Sequence, residues 1–307
     1  MTEKSQDSSK NTRRKAGKIA PEAISFGGKK LYAPVDTTAG FLQKEIDLAD
    51  AKAAFDTLPD LNNTIWQGRR MAYLMRYQEA IQLFSEGILR FPDSPELYRH
   101  RGHRYLTTRQ LDKAIADFQK AADLAKNRNI EVEKDGIPNA INSPLSNLHF
   151  NIYYHWALAH YLQGDFKRAL ELYQNCMDYA INSDLIVATS DWMYMTYRRL
   201  GTDEKTAQWE ALRFVNENMK IVENQSYYER CLLYKGIKKP EDLMNLDDLN
   251  PSNTTYSLDL ITKGYGIANW YFYNGNTEKA VAIFQKIVAT DNWSAFGFIA
   301  AEAELAR

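Results

Sequence analysis

The chain of 307 residues is balanced in charge, and 45% of its residues are hydrophobic. Its 38 lysines and arginines oppose 39 aspartates and glutamates, so no net field attracts nucleic acid or an anionic membrane surface, and we expect neither as a partner. Two cysteines without a Cys-x-x-Cys spacing argue against a disulfide framework or a thiolate zinc site, and they leave a single bridge open.

Targeting signals do not stand out in the sequence. No apolar run approaches the roughly 20 residues that span a bilayer, and the N-terminus lacks the apolar stretch of a signal peptide. We therefore expect a soluble chain without a membrane span, cytoplasmic as written. A chain whose export signal had been removed would show the same pattern, so the compartment stays open.

The first part of the chain divides into a tail and a helix. Residues 1–35 are rich in Ser, Lys, Asn and Gly, a composition that predicts a flexible polar tail. From Phe41, apolar residues recur at helical spacing until Pro59, which predicts an amphipathic helix over about 40–57. We expect one folded domain over 36–307.

An internal repeat follows this helix. When the segment from Leu61 is laid over the segment from Pro95, an offset of 34 residues, small residues fall on small ones and large apolar residues on large apolar ones. The matched positions include Gly68 with Gly102, Ala80 with Ala114 and Phe84 with Phe118. Small residues let two antiparallel helices approach closely, and large apolar residues fill the space between helix pairs.

This pattern resembles the bacterial-type tetratricopeptide repeat over about residues 40–307. The resemblance implies an all-α, right-handed solenoid of antiparallel helix pairs with a terminal capping helix. The sequence places repeat units near 61–94, 95–128, 150–183 and 261–294, a degenerate unit at 187–220, an irregular region at 221–258 and a terminal helix at 294–305.

An insertion separates the second and third units. Residues 129–149 contain Asp135-Gly136, Pro138 and Pro144, which favour turns over a helix. Two interpretations stay open: a lid over the groove near Arg99 and His103, or a mobile surface loop. The second is favoured because the loop contains few apolar residues.

The resemblance also implies a binding surface, because the first helix of each unit lines the concave face in this family. The groove so placed is basic in its N-terminal half and aromatic further on. Its candidate residues are Arg69, Arg99, His100, His103, Tyr154, His155, Asp191, Arg198, Tyr265 and Asn269.

These residue types favour binding over catalysis. Arginine forks and tyrosine faces suit a carboxylate, a phosphate or an extended peptide, so we expect a protein or peptide partner that is acidic or ends in its C-terminal carboxylate. The sequence contains neither a Gly-x-Ser-x-Gly nucleophile motif nor a glycine-rich phosphate loop with lysine. We therefore predict a non-enzymatic scaffold without a cofactor.

Two other functions stay open. The five histidines are clustered in sequence, and His100, His103 and His155 suggest a small-ligand or metal receptor under the 129–149 loop. They lack the His-Glu-x-x-His spacing of a zinc site, so we predict no metal site. An accessory subunit of a larger assembly would instead use the convex face or the terminal helix.

Overall fold

The computed structural model describes residues 20–34, 37–134, 136, 138–245 and 257–307. No helix in this described part is both long and apolar enough to cross a bilayer. The helices are, in chain order, α1 Ala39–Thr57, α2 Leu61–Tyr73, α3 Tyr77–Arg90, α4 Pro95–Thr107, α5 Leu111–Ala125, α6 Leu148–Gln163, α7 Phe166–Met177, α8 Ser183–Arg199, α9 Glu204–Leu212, α10 Gln225–Tyr234, α11 Pro240–Leu243, α12 Ser257–Tyr273, α13 Thr277–Val288 and α14 Phe296–Ala306.

Consecutive helices pack in pairs, and each pair packs on the next. The pairs are α2 with α3, α4 with α5, α6 with α7, α8 with α9, and α12 with α13. Contacts of α3 with α4, α5 with α6 and α7 with α8 join neighbouring pairs. The short connection within each pair reverses the direction of the chain, so its two helices are antiparallel. The pairs then stack into an all-α repeat solenoid.

The glycines of the repeat pattern allow the two helices of a pair to touch. A Cβ atom at Gly68 would lie 2.3 Å from the ring of Phe84, and one at Gly102 would lie 3.0 Å from the ring of Phe118. Both rings are almost fully buried. The sequence repeat therefore has a steric cause, since the aromatic ring of the second helix occupies the space that a side chain on the first would need.

Polar residues mark the points where the units begin. The Ser94 hydroxyl accepts a hydrogen bond from the Leu97 amide, and Pro95 follows at the first helical position. The Asn147 and Asn182 side chains cap α6 and α8 in the same way. These caps satisfy amides that the helix itself leaves without acceptors.

The 129–149 loop rests on the first helices of the units. Val132 forms a β-bridge with Asn147, and the Lys134 carbonyl accepts a hydrogen bond of 2.9 Å from Arg69. The Gly136 carbonyl accepts one of 3.0 Å from Arg70. These contacts correct the favoured interpretation of a mobile surface loop, because arginines of α2 supply bonds that the composition of the loop does not reveal.

Residues 20–34 correct the predicted extent of the flexible tail. Strand β1 (Ala23–Ile24) pairs antiparallel with strand β2 (Lys30–Leu31). Ala23 and Leu31 are buried, and the Trp293 indole donates a hydrogen bond of 2.9 Å to the Tyr32 carbonyl. A polar segment cannot order alone, but here the C-terminal region supplies the apolar surface. The rest of the predicted tail, 1–19 and 35, lies outside the described residues.

The irregular region contributes one helix to the inner surface. Helix α10 packs on α8 and α12, and the four-residue α11 follows it. Residues 246–256 of the predicted irregular region lie outside the described residues. The terminal helix α14 packs on α12 and α13 and also reaches α6. It therefore covers the last repeat and returns across the concave side.

Candidate functional site

The concave surface is built from the first helices of the units. Helix α2 contacts α4, α4 contacts α6, α6 contacts α8, and α8 contacts α12. The ten predicted groove residues lie on these five helices. The structure separates them into a buried set in the C-terminal half and a set around a basic pocket in the N-terminal half.

The start of the terminal helix lies inside the groove. The Phe296 ring lies 5.3 Å from the His103 ring and 5.4 Å from the His155 ring, measured between centroids. A Cβ atom at Gly297 would lie 2.7 Å from the Ile261 carbonyl oxygen of α12. The close approach leaves no room for a partner between α14 and α12.

Two buried ion pairs hold α14 in this position. Glu302 lies 2.8 Å from Arg109 of the loop after α4, and Glu304 lies 2.6 Å from Arg199 of α8. All four side chains are at most 10% exposed. Pairs excluded from water in this way are strongly destabilising to break, because the remaining charge has no partner.

The aromatic half of the predicted groove is covered by α14. The Tyr265 hydroxyl donates to the Tyr161 hydroxyl at 2.9 Å and lies 3.3 Å from Glu304 Oε1. Asn269 Nδ2 donates to the same Tyr161 oxygen at 2.8 Å. Tyr265 and Asn269 are fully buried, and burial raises the pKa of Tyr161 to about 12. These two residues therefore do not line an accessible surface.

A residue of the irregular region covers Asp191. The Arg230 guanidinium lies 2.6 Å from the Asp191 carboxylate, and both side chains are at most 1% exposed. Burial raises the pKa of Asp191, and the Arg230 charge opposes that rise. A Cβ atom at Gly266 would lie 2.1 Å from Arg230 Nε, so the arginine crosses α12 at this glycine.

Two other predicted residues are engaged within the protein. Arg198 donates a hydrogen bond of 3.1 Å to the Tyr273 carbonyl, and its guanidinium lies 4.9 Å from the centre of the Tyr273 ring. Tyr154 of α6 is buried, with its ring 6.1 Å from that of Tyr173 in α7. Both contribute to packing between helices.

The basic half of the predicted groove forms a pocket. Its volume is about 160 Å³, and its wall includes Arg69, Arg99, His100 and His103 together with Arg104. The loop borders it, because Arg99 Nη2 lies 3.1 Å from Glu133 Oε2. Burial, with a smaller contribution from the nearby Arg99 charge, lowers the pKa of Arg104 to about 10.

The histidines beside this pocket are neutral at pH 7. Burial lowers the pKa of His155 to about 3, with Arg99 contributing, and the ring lies 4.3 Å from that of His103. Burial and neighbouring arginines also hold the pKa of His100 and His103 well below the ordinary value. Among the described residues, no group of three or more His, Cys, Asp or Glu side chains could hold a metal ion.

A larger cleft adjoins the pocket. Its volume is about 400 Å³, and it lies between α4, α10 and the start of α14. His103 and Arg104 border both the pocket and the cleft. The other main side chains of its wall are Tyr77, Trp192, Tyr227, Arg230 and Phe296.

Three residues that shape this site were not predictable from the repeat pattern. Arg104 lies one position beyond His103 and outside the family's groove positions. Arg230 comes from a region without a repeat register, although the glycines of Lys263-Gly264-Tyr265-Gly266 signal a close approach to α12. Phe296 belongs to the terminal helix, whose return into the groove depends on contacts distant in sequence.

Comparison with known proteins supports the repeat assignment. Two models, each described as a tetratricopeptide repeat, match the chain: one at residues 152–180 and 264–291, the other at 95–128. No curated protein matches the chain. A solved structure titled "Crystal structure of YrrB: a TPR protein with an unusual peptide-binding site" has 13% identity and a TM-score of 0.41, covering 78% of this chain and 90% of that one. That likeness is too distant to transfer a site.

The matched segments coincide with helix pairs of the structure. They cover α4 with α5, most of α6 with α7, and most of α12 with α13. Sequence pattern, helix pairing and repeat models therefore agree on the same units. The chain therefore contains tetratricopeptide repeats, stacked as helix pairs of an all-α solenoid.

Proposed function

We propose that this protein is a non-enzymatic scaffold that binds an extended peptide or protein segment in the cleft beside α14. The cleft itself is the observation that carries the proposal: it is the part of the concave face that α14 leaves open, and its volume is about 400 Å³. Tyr227 and Phe296, both partly exposed, supply aromatic surface in its wall, and Arg104 supplies charge. Aromatic residues and arginine are the anchors that dominate binding at such surfaces.

The charge of Arg104 favours an acidic group of the partner where the cleft meets the basic pocket, whereas Glu223, also in the cleft wall, carries the opposite charge. The Arg104 guanidinium has no carboxylate partner among the described residues, and Arg69 is bonded to neutral oxygens of Lys134 and Tyr73. A carboxylate of the partner, either in a side chain or at its C-terminus, would form charge-assisted hydrogen bonds with these groups. The basic N-terminal half of the groove then determines the direction in which the segment lies.

The histidine-based receptor has weaker support. The Nδ1 atom of His155 lies 2.6 Å from the Asn151 carbonyl, and Nδ1 of His100 lies 2.8 Å from an Arg99 nitrogen. These contacts occupy a nitrogen on each ring. A metal cation would also lie beside the Arg99 and Arg104 charges, which oppose its binding.

Capture of partners from the native cells tests the proposal. We expect the wild-type protein to co-purify with a partner that the Arg69→Gln, Arg104→Gln double variant loses, with unchanged helical circular dichroism. The matched control is Arg168→Gln, Arg213→Gln, which removes the same charge from side chains that are 44% exposed. Equal capture by the groove variant and the control would contradict the proposal.

An accessory-subunit function would use another surface. Helix α14 packs in the groove, so it offers little free surface to a partner. The stronger candidates for this second surface are two exposed aromatic side chains, Trp209 on α9 (67% exposed) and Phe214 just after it (51% exposed). If this surface binds the partner, Trp209→Ala, Phe214→Ala will lose it while the groove double variant retains it. The same capture experiment therefore separates the two functions.

A further inference from the structure

Three guanidinium groups meet at the small pocket in the N-terminal half of the groove. Arg69, Arg99 and Arg104 all contribute to its wall. Glu133 is the carboxylate that the structure places against them, 3.1 Å from Arg99. Three positive charges and one negative charge leave the pocket with two positive charges that its described surroundings do not neutralise.

Two of the three arginines contact the insertion loop, which explains why they lie here. Arg99 pairs with Glu133, and Arg69 donates to the Lys134 carbonyl. Arg104 forms neither kind of contact with the described residues of the loop; its guanidinium lies 5.3 Å from the centre of the Tyr77 ring. Fixing the loop therefore does not explain why a third cation lies here.

Two further observations indicate that the pocket is built to receive an anion. The Nε atom of Arg99 is buried and has no hydrogen-bond acceptor within the part of the chain that the structure describes. Burial and the Arg99 charge lower the pKa of Arg104, which shows that the arrangement disfavours its own charge. A buried donor without an acceptor and an uncompensated cation both cost stability, and a bound anion would remove both penalties.

The neighbouring histidines do not change the charge balance near neutral pH. His100 and His103 also contribute to the wall of the pocket, and burial with nearby arginines holds the pKa of each well below the ordinary value. Both rings are neutral at pH 7 and can still form hydrogen bonds. The excess of two positive charges is therefore stable across the physiological range.

We propose that this pocket binds the phosphate monoester of a phosphorylated side chain in the partner segment. The inference rests on the proposed function and specifies the group that anchors the segment. A phosphate monoester carries a charge of about −1.5 to −2 at pH 7, which matches the pocket, whereas one carboxylate would neutralise only half of it. Guanidinium forks also match the geometry of phosphate oxygens.

The sizes of the two cavities support an attached group over a free metabolite. A volume of about 160 Å³ is well below the roughly 300–1,000 Å³ of pockets that enclose drug-sized ligands, so it suits a single small group. The adjoining cleft of about 400 Å³ shares Arg104 and His103 with it. The segment would lie in the cleft while its phosphate enters the pocket.

Thermal unfolding with small anions tests the pocket directly. We expect 10 mM inorganic phosphate or N-acetyl-phosphoserine amide to raise the melting temperature by about 2 °C, as for a dissociation constant near 1 mM. Acetate at the same ionic strength should give no measurable rise. An equal rise with acetate, or no rise with phosphate, would overturn the proposal.

Arg104→Gln distinguishes the pocket from general charge effects. Because Arg104 has no counter-ion in the part of the chain that the structure describes, we expect this variant to fold and melt no lower than the wild type, and to lose the response to phosphate. Arg69→Gln provides a second variant if the first does not fold. Arg213→Gln, at a side chain 44% exposed, should keep the full response. An equal loss in Arg213→Gln would refute the site.

Phosphatase treatment separates this inference from the proposed function. We expect partners captured from native cells to be released when the complex is treated with phosphatase and to remain with the heat-inactivated enzyme. If capture resists phosphatase but still fails with Arg69→Gln, Arg104→Gln, the groove binds its partner and the phosphate inference is wrong. If capture is independent of both, the proposed function fails as well.

Discussion

Single residues determine how charge is buried at the concave surface. Arg230 and Asp191 form an ion pair that is almost fully excluded from solvent, and Arg230 also donates a hydrogen bond of 2.8 Å to the Thr262 carbonyl. The guanidinium reaches this position because Gly266 has no side chain. A glycine within a helix disfavours the helix by up to about 1 kcal/mol, so its presence here reflects the space that Arg230 requires.

Two glycines of α12 provide a matched test of this requirement. We expect Gly266→Ala to destabilise the protein by about 3–5 kcal/mol, because the new Cβ atom would displace Arg230 and separate it from Asp191. Gly264→Ala places its Cβ atom 3.4 Å from Ile287, an ordinary contact, and should be neutral or stabilising. Urea unfolding measures both changes. Equal stability of the two variants would show that Arg230 can move without cost.

Residue positions in the site were predictable only where the repeat has a clear register. Arg69, Arg99 and His103 line the basic pocket because the family's slots assign them to the inner helices. Tyr265 and Asn269 occupy equivalent slots, yet they are buried. The slot determines which way a side chain points, but a helix distant in sequence determines whether solvent reaches it.

At the scale of elements, α14 differs from a simple capping helix. It covers α12 and α13, as a terminal cap does, and it also contacts α6 through the open side of the groove. Its apolar residues are buried on several sides, while Glu302 and Glu304 pair with arginines of the inner surface. Its position therefore depends on both packing and charge.

Removing one of these carboxylates should release α14. In Glu304→Ala, Arg199 loses its ion pair at a site 10% exposed, and we expect a loss of about 3–5 kcal/mol. Hydrogen exchange should become faster in α14 and remain slow in α5. Glu171→Ala is the control, because Glu171 is 59% exposed and its pair with Arg168 contributes at most about 1 kcal/mol. Unchanged exchange in α14 would contradict this account.

Whole elements were predictable when local pattern determined them. The helix pairs follow from apolar spacing and from the small residues that separate their two helices. The hairpin at 20–34 was not predictable, since its composition is polar and its stability comes from Trp293 and Glu302, far along the chain. The contacts of the 129–149 loop were not predictable either, because they depend on arginines of α2 and α4 that are distant in sequence.

At the scale of the whole molecule, the two ends of the solenoid are joined. The Phe26 amide donates to Glu302 at 3.1 Å, across 276 residues of sequence. Trp293 packs edge-on against Tyr77 of α3, with ring centroids 5.6 Å apart. Repeat proteins with free ends unfold in parts, because each unit contacts only its neighbours. Contacts between the first and last units couple these parts.

Trp293→Ala tests this coupling. The side chain is 5% exposed, and its removal should cost about 3–5 kcal/mol and separate the first unit from the last. We expect the wild type to unfold in one cooperative transition. In the variant, we expect the amides of the N-terminal units to exchange hydrogen earlier than those of α12 and α13. Trp209→Ala, at a residue 67% exposed, should leave a single transition. A single transition in Trp293→Ala would show that the closure is not the source of cooperativity.

The joined ends also determine how this scaffold meets its partner. A solenoid with free ends can change its curvature and so adjust the width of its groove. Here the hairpin and α14 hold the first unit at a fixed distance from the last, so the span of the cleft is set before binding. The scaffold then loses less conformational entropy when it binds a partner of matching size, while a partner of the wrong width is rejected by shape.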